Sequence, residues 1–253
     1  MSLRAEEPKP ETIQAFDRYI QLTEAAFKER MQPRNFLWLD KHDSEKSLVW
    51  LNQDQVVPQK TLDHGGEIQA PGGLIQDWLG VTFLTGVTID TVRDVEQNYK
   101  DYKYYFKQEV IESKEIKREG DHWEYLLRFQ RRQLKSVVLN ATFEAQWTKL
   151  DDSHVHAASH SKHIGEVKSS SHPDEELPAA SDHGYLWRLN TYWRLEQNDG
   201  GVYVEIEQIS LSRETSRLTP ARYLNGFVEN FPKAFVEDML ASFRQNIKPP
   251  KAH

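Results

Sequence analysis

Residues 185–211 read YLWRLNTYWRLEQNDGGVYVEIEQISL. Apolar and polar residues alternate on both sides of Asn198-Asp199-Gly200-Gly201, and a period of two around such a tetrapeptide predicts an antiparallel hairpin closed by a tight turn. A turn centred between Asp199 and Gly200 makes paired residue numbers sum to 399. That register sets Trp193 opposite Ile206, Leu195 opposite Val204 and Arg194 opposite Glu205. One face is then apolar, with Trp187, Leu189, Thr191, Trp193, Val204 and Ile206, and the other carries Arg188, Arg194, Glu205 and Glu207. Shifting the turn by one residue would change the opposition and leave both sets where they are. The charged face has two readings. It is either a solvated surface with cross-strand ion pairs worth about 0.2–1 kcal/mol each, or a polar anchor for a ligand headgroup.

Downstream, Phe227, Phe231, Phe235, Met239 and Phe243 recur every four residues, flanked by Leu224, Val228, Val236 and Leu240. This is an amphipathic helix with a broad apolar stripe that must lie on something apolar, and the hairpin's apolar face suits it. Pro232 either kinks this helix or marks the first turn of a second helical piece.

Working back from the hairpin, Trp123, Tyr125, Leu127 and Phe129 alternate with polar partners, as do Val137, Leu139, Ala141, Phe143, Ala145 and Trp147, giving two long amphipathic strands. A more polar strand covers about His154 to Val167, and Ser169 to Asp182 reads as a surface loop. Leu74 to Leu84 is a strand bounded by glycines. It is followed by a short helix capped by Thr88 and by a second helical segment from Tyr99 to Phe106. Near the start, Ile13, Phe16, Ile20 and Phe27 predict a helix over about 12–31, and Phe36–Leu39 and Leu48–Leu51 have the length of strands. Residues 1–60 thus form an N-terminal extension packing on a main domain over 61–253.

Composition limits the functions available. With 38 % hydrophobic and 28 % charged residues, and 7 Trp, 10 Tyr and 11 Phe, the chain can fill a core and reads as a soluble globular protein. A net charge of -7 argues against nucleic acid as a partner. The absence of cysteine excludes disulfides, thiolate metal sites and a cysteine nucleophile. No apolar run reaches the length of an integral membrane segment. The polar start carries no secretory signal, so the chain as given reads as cytoplasmic; Met1-Ser2-Leu3 also fits a protein whose leader has been removed, which leaves export open.

The element order is strand, two short helices, six antiparallel strands and a long C-terminal helix greasy on one side. It resembles the helix-grip fold of the START-like (SRPBCC) superfamily, an α+β architecture in which a curved antiparallel sheet wraps the last helix around a cavity. Asp77-Trp78-Leu79-Gly80, Val87-Thr88-Ile89-Asp90 and the two hairpin strands are similar to sequences of bacterial members. The resemblance covers about residues 61–247 and implies a binder of a lipid or other hydrophobic small molecule, or less often a cyclase or hydrolase. The N-terminal extension departs from the minimal fold.

The candidate ligand-binding residues are the interior aromatics and their neighbours: Trp123, Tyr125, Phe129, Phe143, Trp147, Trp187, Thr191, Trp193, Ile206, Phe227, Phe231 and Phe235. An aromatic stripe serves a solid core equally well. Thr191, Gln208, Tyr125 or Asn140 would orient a ligand. His154, His156 and His160 share a strand face but lack a clear third metal ligand, so no metal and no cofactor are assigned. No phosphate loop, nucleophile elbow or His-Glu-x-x-His motif is present, so no catalytic residue is assigned. An enzyme would show an ionisable pair in the cavity, Asp77 or Glu205 with Arg188 or Arg194. A third reading is a protein-interaction module whose extension plugs the pocket.

Overall fold

A computed structural model describes residues 7–31, 35–42, 49, 55–58, 70–107, 109–132, 136–169, 171–214 and 222–249, with the backbone alone over 56–58, 131–132, 136, 180 and 222–231. Helix α1 (Pro10–Arg30) precedes β1 (Gln55–Pro58) and β2 (Gly73–Thr85), then α2 (Ile89–Glu96) and α3 (Tyr102–Tyr105). There follow β3 (Val110–Glu119), β4 (His122–Arg132), β5 (Ser136–Lys149), β6 (His154–Ser169), β7 (His172–Glu176), β8 (Arg188–Asn198), β9 (Gly201–Arg213) and α4 (Arg222–Asn246). The strands form one antiparallel sheet in the order β1-β2-β9-β8-β6-β5-β4-β3, with β7 paired to β6 beside this path.

The β8–β9 hairpin has the register read from its turn, with Trp193 paired to Ile206, Arg194 to Glu205 and Leu195 to Val204. Asp199 and Gly200 take φ of 54° and 77°, the double positive-φ geometry of a type I′ turn, whose twist matches that of the flanking strands.

Both faces of this sheet are covered. Along β9, Val202, Val204 and Ile206 pack with Val236, Leu240 and Phe243 of α4. Ile209 and Leu211 point the other way, onto Phe16, Tyr19 and Phe27 of α1. On that second face Tyr203 joins Phe36, Leu37 and Phe83 in a further cluster. The sheet is the middle of three layers, although antiparallel sheets commonly leave one face to water.

Several local expectations need correction. Residues Trp38–Lys41 form a 3-10 turn and not a strand, held where the Leu37 N–H donates to Asp40 Oδ2 at 2.9 Å. Of Leu48–Leu51 only Val49 is described, and it is buried. The polar run after Ser169 contains β7, paired through Val167–Glu176 and Ser169–His172. Helix α4 passes through Pro232 as one helix, so the proline does not open a second helical piece. Trp187 leaves the face of Leu189 and Trp193 and joins the α1 cluster. It precedes β8, where pairing with β6 has already ended at His160–Asn190, and it packs against the left-handed Gly184.

Candidate functional site

Among the described residues, the side chains of α4 pack closely against those of β4, β5 and β8. Tyr102, Phe106, Val110, Tyr125, Leu127 and Phe129 meet Phe143, Leu189, Thr191, Trp193, Phe235 and Met239 around a cavity of about 20 Å³. A single water needs at least about 10–15 Å³, so this space holds water and not a lipid. Ring packing closes it. Tyr99 stacks on Tyr125 at 3.9 Å and Tyr125 on Phe143 at 5.1 Å, while Phe129 meets Phe235 edge-on at 5.5 Å. Phe243 meets both Trp193 and Phe106 edge-on, at 5.4 and 5.6 Å.

Of the residues named from sequence, Tyr125, Phe129, Phe143, Thr191, Trp193 and Phe235 converge on this cavity. Trp123, Trp147 and Ile206 lie in the same core behind its lining. Trp147 donates its indole N–H to the Tyr99 hydroxyl at 2.9 Å, and Arg118 lies 4.6 Å over the Trp123 ring. Trp187 is on the opposite side of the sheet, and Phe227 and Phe231 lie outside the described side chains. Tyr102 and Phe106 are absent from the residues named from sequence, although Tyr99, Tyr102 and Phe106 sit at helical spacing. That pattern signals a third wall standing between the sheet and α4.

Polar groups border this aromatic space. Tyr125 and Ser159 share a 2.6 Å hydrogen bond between their hydroxyls. Tyr102 donates to the Glu96 backbone carbonyl at 2.6 Å and lies 3.2 Å from Glu96 Oε2. Glu96 is fully buried, and loss of solvation holds its carboxyl well above the usual range. Asn140 is turned outward, accepting from Arg128 and donating to the Pro173 carbonyl, so it takes no part in the cavity.

The charged residues of the hairpin lie under α1, neither in water nor in the cavity. Arg194 is 1 % exposed, within 2.5 Å of Glu205 Oε1 and 3.5 Å of Glu207 Oε2. Glu205 also receives Arg30 from α1 at 3.1 Å and the Trp38 N–H at 2.6 Å, and the Phe27 ring covers the Arg194 guanidinium at 4.0 Å. Beside them Tyr19 donates to Asp77 Oδ2 at 2.7 Å. Burial, reinforced by the charge of Glu207, pushes the Asp77 carboxyl up, and burial does the same to Glu207 against the pull of Arg194. Both readings of this face as solvated or headgroup-binding are therefore replaced: it is the seat of α1. The pair expected of an enzyme, Asp77 or Glu205 with Arg194, is on the far side of the sheet from the cavity. Arg188 bonds the Trp187 carbonyl at 2.9 Å.

The histidines of β6 diverge to separate partners. His154 lies 2.9 Å from Asp151 and His160 lies 3.0 Å from Glu24, while burial and nearby Arg194 lower the pKa of His156. Among the described residues no three His, Asp or Glu side chains come together as metal ligands.

No family model matches the sequence, and no curated protein matches it. Solved structures do. The Zhui aromatase/cyclase from Streptomyces sp. R1128 superposes with a TM-score of 0.50 at 10 % identity, over 69 % of this chain and 94 % of that one. The STAR-related lipid transfer protein fragment from Xanthomonas axonopodis gives 0.44 at 15 %, over 70 % and 96 %. The human StarD13 lipid transfer and protein localization domain gives 0.48 at 9 %, over 85 % and 98 %. In strand order, in the helix laid across the sheet and in this superposition, the chain has an α+β helix-grip fold.

Proposed function

We propose that the chain binds a lipid or other hydrophobic small molecule between its sheet and α4. The observation that supports this reading is the aromatic cavity beneath α4, which is walled by rings and reaches the half-buried Thr191. Burying a ligand there draws on about 25 cal/mol per Å² of apolar surface removed from water. Because the space now holds only about 20 Å³, binding must be coupled to opening, by rotation of the lining rings or by a shift of α4. The fold argues in the same direction only as architecture, since one scaffold hosts many sites. Glu96 lies behind the wall formed by Tyr102, whose hydroxyl is 3.2 Å from its Oε2.

Native mass spectrometry of the purified chain, followed by titration with an environment-sensitive fluorescent fatty acid, tests this. A co-purifying small molecule, or saturable binding of one probe per chain, is expected. A chain that carries no ligand and takes up neither fatty acid nor sterol probes rules the reading out.

A further inference from the structure

One end of the sheet face under α4 is polar. Gln208 stands across the strands from Thr191 on one side and from Trp78 on the other, and Ser210 and Ser212 follow it on the same face. All three are buried, Gln208 completely. Neither polar atom of the Gln208 amide, nor the hydroxyl of either serine, has a hydrogen-bond partner among the described residues. Buried polar groups are nearly always satisfied, so three successive inward positions left open call for a guest that bonds to them.

The surroundings identify the guest. Thr191 and Leu189, the register partners of Gln208 and Ser210, both line the cavity, so the polar row lies one strand beyond its wall on the same face of the sheet. Lys233 of α4 lies 5.9 Å from the centre of the Trp78 ring, which places the row beneath the middle of that helix. An amide and two hydroxyls both donate and accept, and they are complemented by a group that does the same. Their register neighbours Leu74, Gln76, Trp78, Leu189 and Thr191 are uncharged. Lys233 is paired with Glu237 at 3.1 Å and is half-exposed. Among the described residues no unpaired cation faces the row, so a carboxylate or phosphate would lose its water there without gaining a counter-ion from them.

We propose that Gln208, together with Ser210 and Ser212, is the headgroup site of the cavity and selects an uncharged hydrophobic molecule ending in a hydroxyl or carboxamide. The inference rests on the ligand-binding reading above. Titrating the full chain at pH 7 with naphthalene, 2-naphthol, 2-naphthamide and 2-naphthoate separates the two. The alcohol and amide should bind about tenfold tighter than naphthalene, as expected for about one added hydrogen bond, with the carboxylate weakest. Gln208→Leu should bring the alcohol and amide to within about twofold of naphthalene and leave naphthalene itself unchanged. Should that variant not fold, Ser210→Ala with Ser212→Ala makes the same comparison. Equal affinity of the wild type for all the neutral probes, or a preference untouched by either variant, would mean that water alone fills the row and would overturn the headgroup site. Binding of none of the four would instead remove the ligand-binding reading beneath it.

Discussion

Arg194 shows how far one side chain's surroundings can depart from its local sequence. Its pairing with Glu205 is fixed by a two-residue turn and is readable from Asp199-Gly200 alone, because turn chemistry is local. Its burial is not readable, because Arg30, which shares Glu205 with it, lies 175 residues from Glu205 along the chain. Replacing Arg194 with Met leaves Glu205 buried with only Arg30 and one backbone N–H, and should cost about 3–5 kcal/mol in a urea titration. A loss below about 1 kcal/mol would show the pair to be solvated. The neighbouring Asp77 gives a pH dependence of definite sign. Its carboxyl, like that of Glu207, is raised in the folded chain, so the folded state holds protons that the unfolded state has released. Its contribution is full below the unfolded value of about 4 and is lost as pH rises through the folded value. Asp77→Asn keeps an acceptor for Tyr19 and does not titrate. Between pH 5 and pH 8 the wild type should therefore lose stability relative to Asp77→Asn, measured as the difference in urea midpoints. The exposed carboxylates lowered by lysine or histidine partners, such as Glu144 and Asp151, are common to both proteins and cancel.

Helix α4 was legible as an element because its apolar residues keep strict helical spacing, and so was α1. The target of each was less so. A helix stripe specifies that something apolar lies opposite, and two faces of one sheet satisfy that condition equally. The strand β7 was hidden because its residues, His172–Glu176, are polar and largely exposed, leaving no alternation to read. Tyr102 and Phe106 are legible as a helical segment but not as cavity wall, since a short helix gives no hint of what its aromatic side meets. At this scale Pro232 is the informative position. It removes the backbone bond that residue 232 would donate one turn back, just before the residues of α4 that line the cavity. Pro232→Ala restores that donor and should add about 1 kcal/mol to stability. It should also slow uptake of 2-naphthol in stopped-flow measurements if the cavity opens by bending α4. Unchanged uptake would place the opening in the rings of α3 and β4 instead.

Across the whole molecule, the described helices lie on both sides of the sheet. No helix among the described residues is long and apolar enough to cross a membrane. The strands β4, β5, β8 and β9 and the terminal helix are legible in the sequence because each carries its own apolar period. The charge-rich edge strand β3 is not, since only Val110 and Ser113 of its ten residues are buried. Nor is the smallness of the cavity, because side-chain volumes add up to a filled or an open interior only once every wall is in place. Burial along β9 is unbroken from Gly201 to Ser212, whereas β4 alternates between buried and half-buried positions. A saturation mutagenesis scan should therefore tolerate polar replacements at every second site of β4 and at almost none in β9. The sheet between the aromatic packing beneath α4 and the layer formed by α1 is one backbone thick, so a displacement on either side is felt across it.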